Sequence, residues 1–238
     1  MNLNASLIKP PQVGQPAVHF FRENAVMEIA ILLFDRLTAL DAVGPYEVLS
    51  RIPGGAVKFV AMAPGPKRTD VGSLALVADY TLDQVPSPDI VVVPGGPGQT
   101  ALMDDEQVLN WIRQAHKTSK WTTSVCTGSL VLGAAGLLKG LKATSHWLAY
   151  DSLRSLGAEA VSDRVVIEGK IITAAGVSAG LDMALTLVAR ECGDDLAQAI
   201  QLGIEYDPQP PFEAGSPEKA PDAIVERLKS RSRFVTRQ

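Results

Sequence analysis

Between residues 28 and 204 the chain alternates short apolar runs of strand length with segments of helical periodicity, and few architectures accept that order. Glu28-Ile29-Ala30-Ile31-Leu32-Leu33-Phe34 is the first apolar run; Asp41–Ser50 reads as a helix, with Pro45 tolerated near its start, and Val57–Met62 as a second strand. Leu74–Ala78 reads as a short third strand among turn residues. Pro88-Asp89-Ile90-Val91-Val92-Val93 then ends abruptly in Pro94-Gly95-Gly96-Pro97-Gly98. A continuous apolar strand of this kind suits a parallel sheet covered on both faces. Asp104–Ser119 sets Val108, Leu109, Ile112 and Ala115 on one helical face, Trp121–Val125 is rich in strand formers, and Ser129–Leu138 is apolar nearly all round, as a buried helix is. Val165–Ile167 and Ile171–Thr173 flank Glu168-Gly169 as a hairpin. Two amphipathic helices follow, one marked by Leu181, Ala184, Leu185 and Val188, the other by Leu196, Ala199, Ile200 and Ile204. The whole predicts an α/β fold, a mostly parallel central sheet sandwiched by helices.

No internal repeat or linker interrupts residues 27–206, so they read as one domain. A chain of 238 residues buries roughly 70–75% of its unfolded surface and needs no disulfide or metal staple. Residues 1–26, with Pro10, Pro11 and Pro16, read as a flexible N-terminal arm. Residues 207–238 read as an irregular C-terminal tail, with five prolines before residue 222 and a short basic stretch, Arg227–Arg237, that is expected to be solvated.

Composition works by exclusion. Net charge is −4, from 22 basic and 26 acidic residues, which gives no electrostatic reason to expect nucleic acid as a partner. No apolar run is long enough for a signal peptide or a membrane span. The only cysteines, Cys126 and Cys192, lie far apart, and no closely spaced Cys or His pair suggests zinc; a reducing, cytoplasmic setting fits best. The loop after Val93 lacks the G-x-G-x-x-G spacing of a dinucleotide site. Nothing calls for a cofactor or a metal. A small molecule is the expected partner.

In such folds ligands gather at the C-terminal ends of the strands, where Asp41, the Gly95-Gly96 loop and Cys126 should face one crevice. Cys126 stands between a β-branched strand and a Thr-Gly that opens a helix, as at a nucleophile elbow. The helix N-terminus favours thiolate, the nucleophilic form, whereas many free cysteines merely fill space. Gly95 and Gly96 either turn the chain or aim N–H groups at an oxyanion. Asp41 is either a helix cap or a catalyst. His146 could serve as a general base, although the sequence does not say whether it reaches Cys126. Cys192, near a helix end, reads as inert, and His19 and His116 as bystanders.

Four stretches together resemble a known family: Leu40 through Val48 (Leu-Asp-Ala-Val-Gly-Pro-Tyr-Glu-Val), Val93-Pro94-Gly95-Gly96, Ser124-Val125-Cys126-Thr127-Gly128-Ser129 running on to Gly136-Leu137-Leu138, and Ala143-Thr144-Ser145-His146-Trp147. They are similar to the ThiJ/PfpI branch of the glutamine-amidotransferase-like superfamily, and within it to the isonitrile hydratases. A fifth stretch, Gln198–Leu202 through Tyr206-Asp207-Pro208 and on to Pro210-Pro211-Phe212, resembles the C-terminal region of those hydratases. The resemblance implies a flavodoxin-like fold, a homodimer, and a cysteine, Cys126, paired with an acid that falls at Asp41, with Thr127 behind it. Thr127 stands where the intracellular proteases of the family carry His, which argues against peptidase activity. The Cys126–Trp147 stretch also resembles the sensing half of AraC-type regulators, but the chain after Asp207 is too short for their DNA-binding domain.

The reaction implied is hydration of an isonitrile to an N-substituted formamide. Cys126 would attack as thiolate, Asp41 would supply the proton, Thr127 and backbone donors near Gly96 would steady the intermediate, and Gly95, Gly96 and His146 would meet the substrate. Two alternatives keep the same cysteine: a glyoxalase- or deglycase-type carbonyl hydrolase, and a non-catalytic redox sensor.

Overall fold

The two most apolar runs of the sequence occupy the middle of a seven-stranded sheet, where neither face meets water. The computed structural model describes residues 27–232; the N-terminal arm read over 1–26, and residues 233–238, lie outside them. In chain order the elements are β1 (Met27–Leu32), α1 (Ala39–Leu49), β2 (Gly55–Ala61), β3 (Gly65–Arg68), β4 (Ala75–Ala78), β5 (Tyr80–Thr81), β6 (Ile90–Val93), α2 (Gln99–Met103), α3 (Glu106–Thr118) and β7 (Trp121–Val125). They continue with α4 (Gly128–Ala134), β8 (Lys142–Ala143), α5 (Tyr150–Ser155), β9 (Glu159–Ala160), β10 (Val165–Glu168), β11 (Ile171–Ala174), α6 (Ala179–Cys192), α7 (Asp194–Gly203) and α8 (Asp222–Lys229).

The central sheet runs β10-β11-β7-β6-β1-β2-β5, and every pairing is parallel except the β10–β11 hairpin. Its core, β2-β1-β6-β7-β11, has the 2-1-3-4-5 order of flavodoxin-like folds, whose strand order reverses between β1 and β6. Ile29–Leu32 and Ile90–Val93 are fully buried, as strands covered on both faces require. Helices α1, α6 and α7 pack together as one group and α2, α3, α4 and α5 as another, flanking the sheet.

Asp105 caps α3, its carboxylate accepting from the N–H groups of Gln107 and Val108, which starts the helix at Glu106, two residues after the expected Asp104. Pro45 lies inside α1 rather than near its start, packed where α1 meets α6. The strand expected over 74–78 forms but does not join the central sheet. It pairs antiparallel with Gly65–Arg68 in a separate hairpin, and Tyr80–Thr81 takes the sheet edge beside β2. The C-terminal tail is less irregular than its prolines suggest. They keep 207–221 free of helix and strand, but once Pro221 is passed, Asp222–Lys229 coils into a helix that buries Val225. No helix among the described residues is long and apolar enough to cross a membrane.

Candidate active site

Because the core strands run the same way, the loops after β1, β6, β7 and β11 emerge at one edge of the sheet, around the reversal of strand order. Cys126 follows β7 with φ of 57°, a left-handed conformation that costs a non-glycine residue about 1–3 kcal/mol. Hydrogen bonds to its backbone hold it there. Its N–H donates to the carbonyls of Ala174 (3.1 Å) and Ala175 (2.9 Å), and its carbonyl accepts from the hydroxyls of Ser129 (3.2 Å) and Ser145 (3.0 Å). The side chain is left turned toward the crevice loops, with 5% of the residue exposed.

Asp41 lies in the first turn of α1 and is completely buried. It caps nothing: the N-cap is Thr38, and Asp41 Oδ2 instead accepts from Gly95 N–H at 2.9 Å, across the crevice. Its Oδ1 takes no well-directed hydrogen bond from any protein group. The Cys126 thiol stands beside the carboxyl, close enough that each alters the other's proton affinity. Burial raises Asp41 from an ordinary 3.8 to about 7, against the opposing pull of the Gly95 N–H and the thiol, and with a further push from the charge of Asp70.

The sulfur does not match the resting thiolate expected from its helix. Backbone N–H groups of Val177 and Thr127 face it and favour the anion, but burial and the charge of Asp41 outweigh them and push the thiol up to about 12. Above about pH 7 the carboxyl is therefore ionised while the thiol keeps its proton, so the pair holds one proton, on sulfur, beside a carboxylate that can accept it.

Gly95 and Gly96 also differ from expectation. Their N–H groups are engaged within the protein, Gly95 with Asp41 and Gly96 with the Thr127 hydroxyl at 3.0 Å, so they brace the pair instead of waiting for an oxyanion. A Cβ on Gly95 would come within 2.5 Å of Thr127 N and 2.9 Å of Asp41 Oδ2, and Gly96 needs a φ of 122°. Gly95→Ala is accordingly expected to destabilise the fold by about 1–3 kcal/mol through overpacking, read as a lower denaturant midpoint. Unchanged stability would contradict the tight approach of these loops.

Ser145, the residue before His146, is the neighbour whose hydroxyl bonds the Cys126 carbonyl. His146 caps a short 3-10 turn, its Nδ1 accepting from Leu148 N–H at 3.3 Å, and burial depresses its proton affinity. It stacks on Trp147 and borders Gly176, where it lines a cavity of about 740 Å³ shared with Val177. Val177, with φ of 25°, is the site residue that motif reading missed. Its signal was topological: β11 adjoins β7, so the loop after β11 must reach the same crevice. His116 bonds Thr122 at 2.9 Å, and Cys192 lies at the end of α6. Among the described residues, no group of three His, Cys, Asp or Glu side chains is arranged to hold a metal ion.

A flavodoxin-like sheet with a strained cysteine facing a buried carboxyl across the switch in strand order defines a class of α/β proteins built around a cysteine–acid pair. The chain belongs to the DJ-1/PfpI family, whose model matches residues 27–190. It is 46% identical over 206 residues to the isonitrile hydratase of Pseudomonas putida, covering 87% of this chain and 90% of that one. The crystal structure of a ThiJ/PfpI family protein from Pseudomonas syringae superposes with a TM-score of 0.83 at 39% identity, covering 89% of each chain. Protein DJ-1 homolog A of Arabidopsis thaliana is 31% identical over 180 residues, which are 72% of this chain and 44% of that protein.

Proposed function

We propose that the protein hydrates an isonitrile to an N-substituted formamide, using Cys126 as nucleophile and Asp41 as the group that moves its proton. The observation carrying this reading is one thiol set beside one completely buried carboxyl whose proton affinity is raised to about 7. An isonitrile must gain a nucleophile and a proton at the same terminal carbon, and a pair holding one proton supplies both.

In the first step Asp41 takes the thiol proton while the sulfur bonds to the terminal carbon. The electron pair left on that carbon takes the proton back from Asp41, giving a thioimidate, R–N=CH–S–Cys126. In the second step the regenerated carboxylate removes a proton from water as its oxygen adds to the same carbon. The C–S bond breaks, the thiol regains its proton, and R–N=CH–OH tautomerises to the formamide. The Thr127 hydroxyl already accepts from Gly96 N–H, so its own proton is available to the substrate nitrogen. The similarity to the isonitrile hydratase of Pseudomonas putida supports the reaction class. A homodimer and a cytoplasmic location belong to the same reading.

The decisive assay offers cyclohexyl isocyanide and methylglyoxal in parallel. Formamide without lactate supports hydration; lactate without formamide favours a carbonyl hydrolase; neither product favours a redox sensor. A pH dependence follows as well. Asp41 must be ionised to accept the thiol proton, so kcat/KM is expected to fall about tenfold per unit as pH drops below about 7, with a plateau above it. A flat profile through that region would exclude Asp41 as the base.

A further inference from the structure

We propose that the segment from Pro210 to Lys219 is the wall that selects the organic substituent of the substrate, with Phe212 as its aromatic contact; this rests on the hydratase reading. One side of the 740 Å³ cavity is formed by Gly176 and Val177, the latter presenting its N–H to the Cys126 sulfur, together with His146 and Trp147. The other side is built from residues 210–219. The family match ends at residue 190, so this wall comes from chain beyond the shared domain, where it can set selectivity without touching the cysteine–acid pair.

The wall is held in place. The Tyr206 hydroxyl donates to both carboxylate oxygens of Asp182 on α6, at 3.2 and 3.3 Å, and the same carboxylate pairs with Arg164. Beyond it, Ala220 N–H donates to the Ser216 carbonyl at 2.9 Å, and α8 buries Val225. The cavity far exceeds what a one-carbon substituent fills and lies in the range of sites for drug-sized molecules. Phe212 lines it yet remains 77% exposed, an aromatic face that a ring entering the cavity would cover. The substrate class this fits is an isonitrile with a bulky aromatic substituent.

The test compares kcat/KM for 2-naphthyl isocyanide and methyl isocyanide in the full-length protein and in Phe212→Ala. The naphthyl-to-methyl ratio is expected to fall about three- to tenfold, the worth of one aromatic contact. An unchanged ratio, including equal loss on both substrates, overturns the proposal. A second readout needs no turnover: quenching of tryptophan fluorescence by N-(2-naphthyl)formamide, with Kd expected to rise by the same factor in Phe212→Ala. Should the parent protein hydrate neither isonitrile, the hydratase reading fails on its own. The binding comparison then decides the wall, weaker binding upholding it and equal binding overturning it.

Discussion

Cys126→Ala is expected to lose formamide production from cyclohexyl isocyanide by roughly 10⁴-fold or more, because the proposed covalent attack on the substrate carbon is made by that sulfur. The loss should not be one of folding. The residue is held by its backbone, through Ala174, Ala175, Ser129 and Ser145, and alanine keeps these contacts. Alanine also tolerates a φ of 57° no worse than cysteine does. Circular dichroism and the unfolding midpoint should therefore stay close to the parent while turnover disappears. Substantial hydration by this variant would end the covalent mechanism.

Asp41→Asn is expected to separate activity from stability. An amide oxygen can still accept from Gly95 N–H, but the side chain can no longer move a proton, and kcat/KM should fall about 10²–10⁴-fold. Stability should change in the opposite sense. The carboxyl has a pKa of about 7 in the folded chain against an ordinary 3.8, so between those values the folded protein keeps a proton that the unfolded chain has released. The stability of the parent must then decline as pH rises through that window, and above 7 the whole cost of the buried charge is present. The variant lacks this term. It should melt at a higher temperature than the parent above pH 7, with the difference shrinking toward pH 4. A variant that is less stable than the parent at high pH would show that the burial of Asp41 had been misjudged.

The strand and helix order was legible because continuous apolar runs such as Ile90–Val93 and one-faced segments such as Glu106–Thr118 carry their periodicity openly. The meeting of Asp41 with Cys126 followed from the rule about strand ends and from the family motifs together. What failed was local. Ala75–Ala78 has strand composition, but strand composition does not say which sheet a strand joins, and Gly65 and Gly72, both at positive φ, turn the chain back into its own hairpin. The thiolate expected at Cys126 was misread because a helix N-terminus is visible in sequence whereas the depth of burial is not, and burial is the largest influence on the sulfur. Gly95 and Gly96 were recognised as a bare backbone, but which acceptors their N–H groups meet depends on Asp41 and Thr127, 54 and 31 residues away. The cavity wall was invisible for the same reason, since Phe212 and Val177 become neighbours of one space only after folding.

A quench experiment reaches the sulfur itself. Protein mixed with excess cyclohexyl isocyanide, stopped with acid during the first turnover and weighed intact, should carry an added mass equal to the whole isonitrile, located by digestion on the peptide containing Cys126. The same mass on another residue, or formamide released at full rate by protein already alkylated at Cys126, would contradict it.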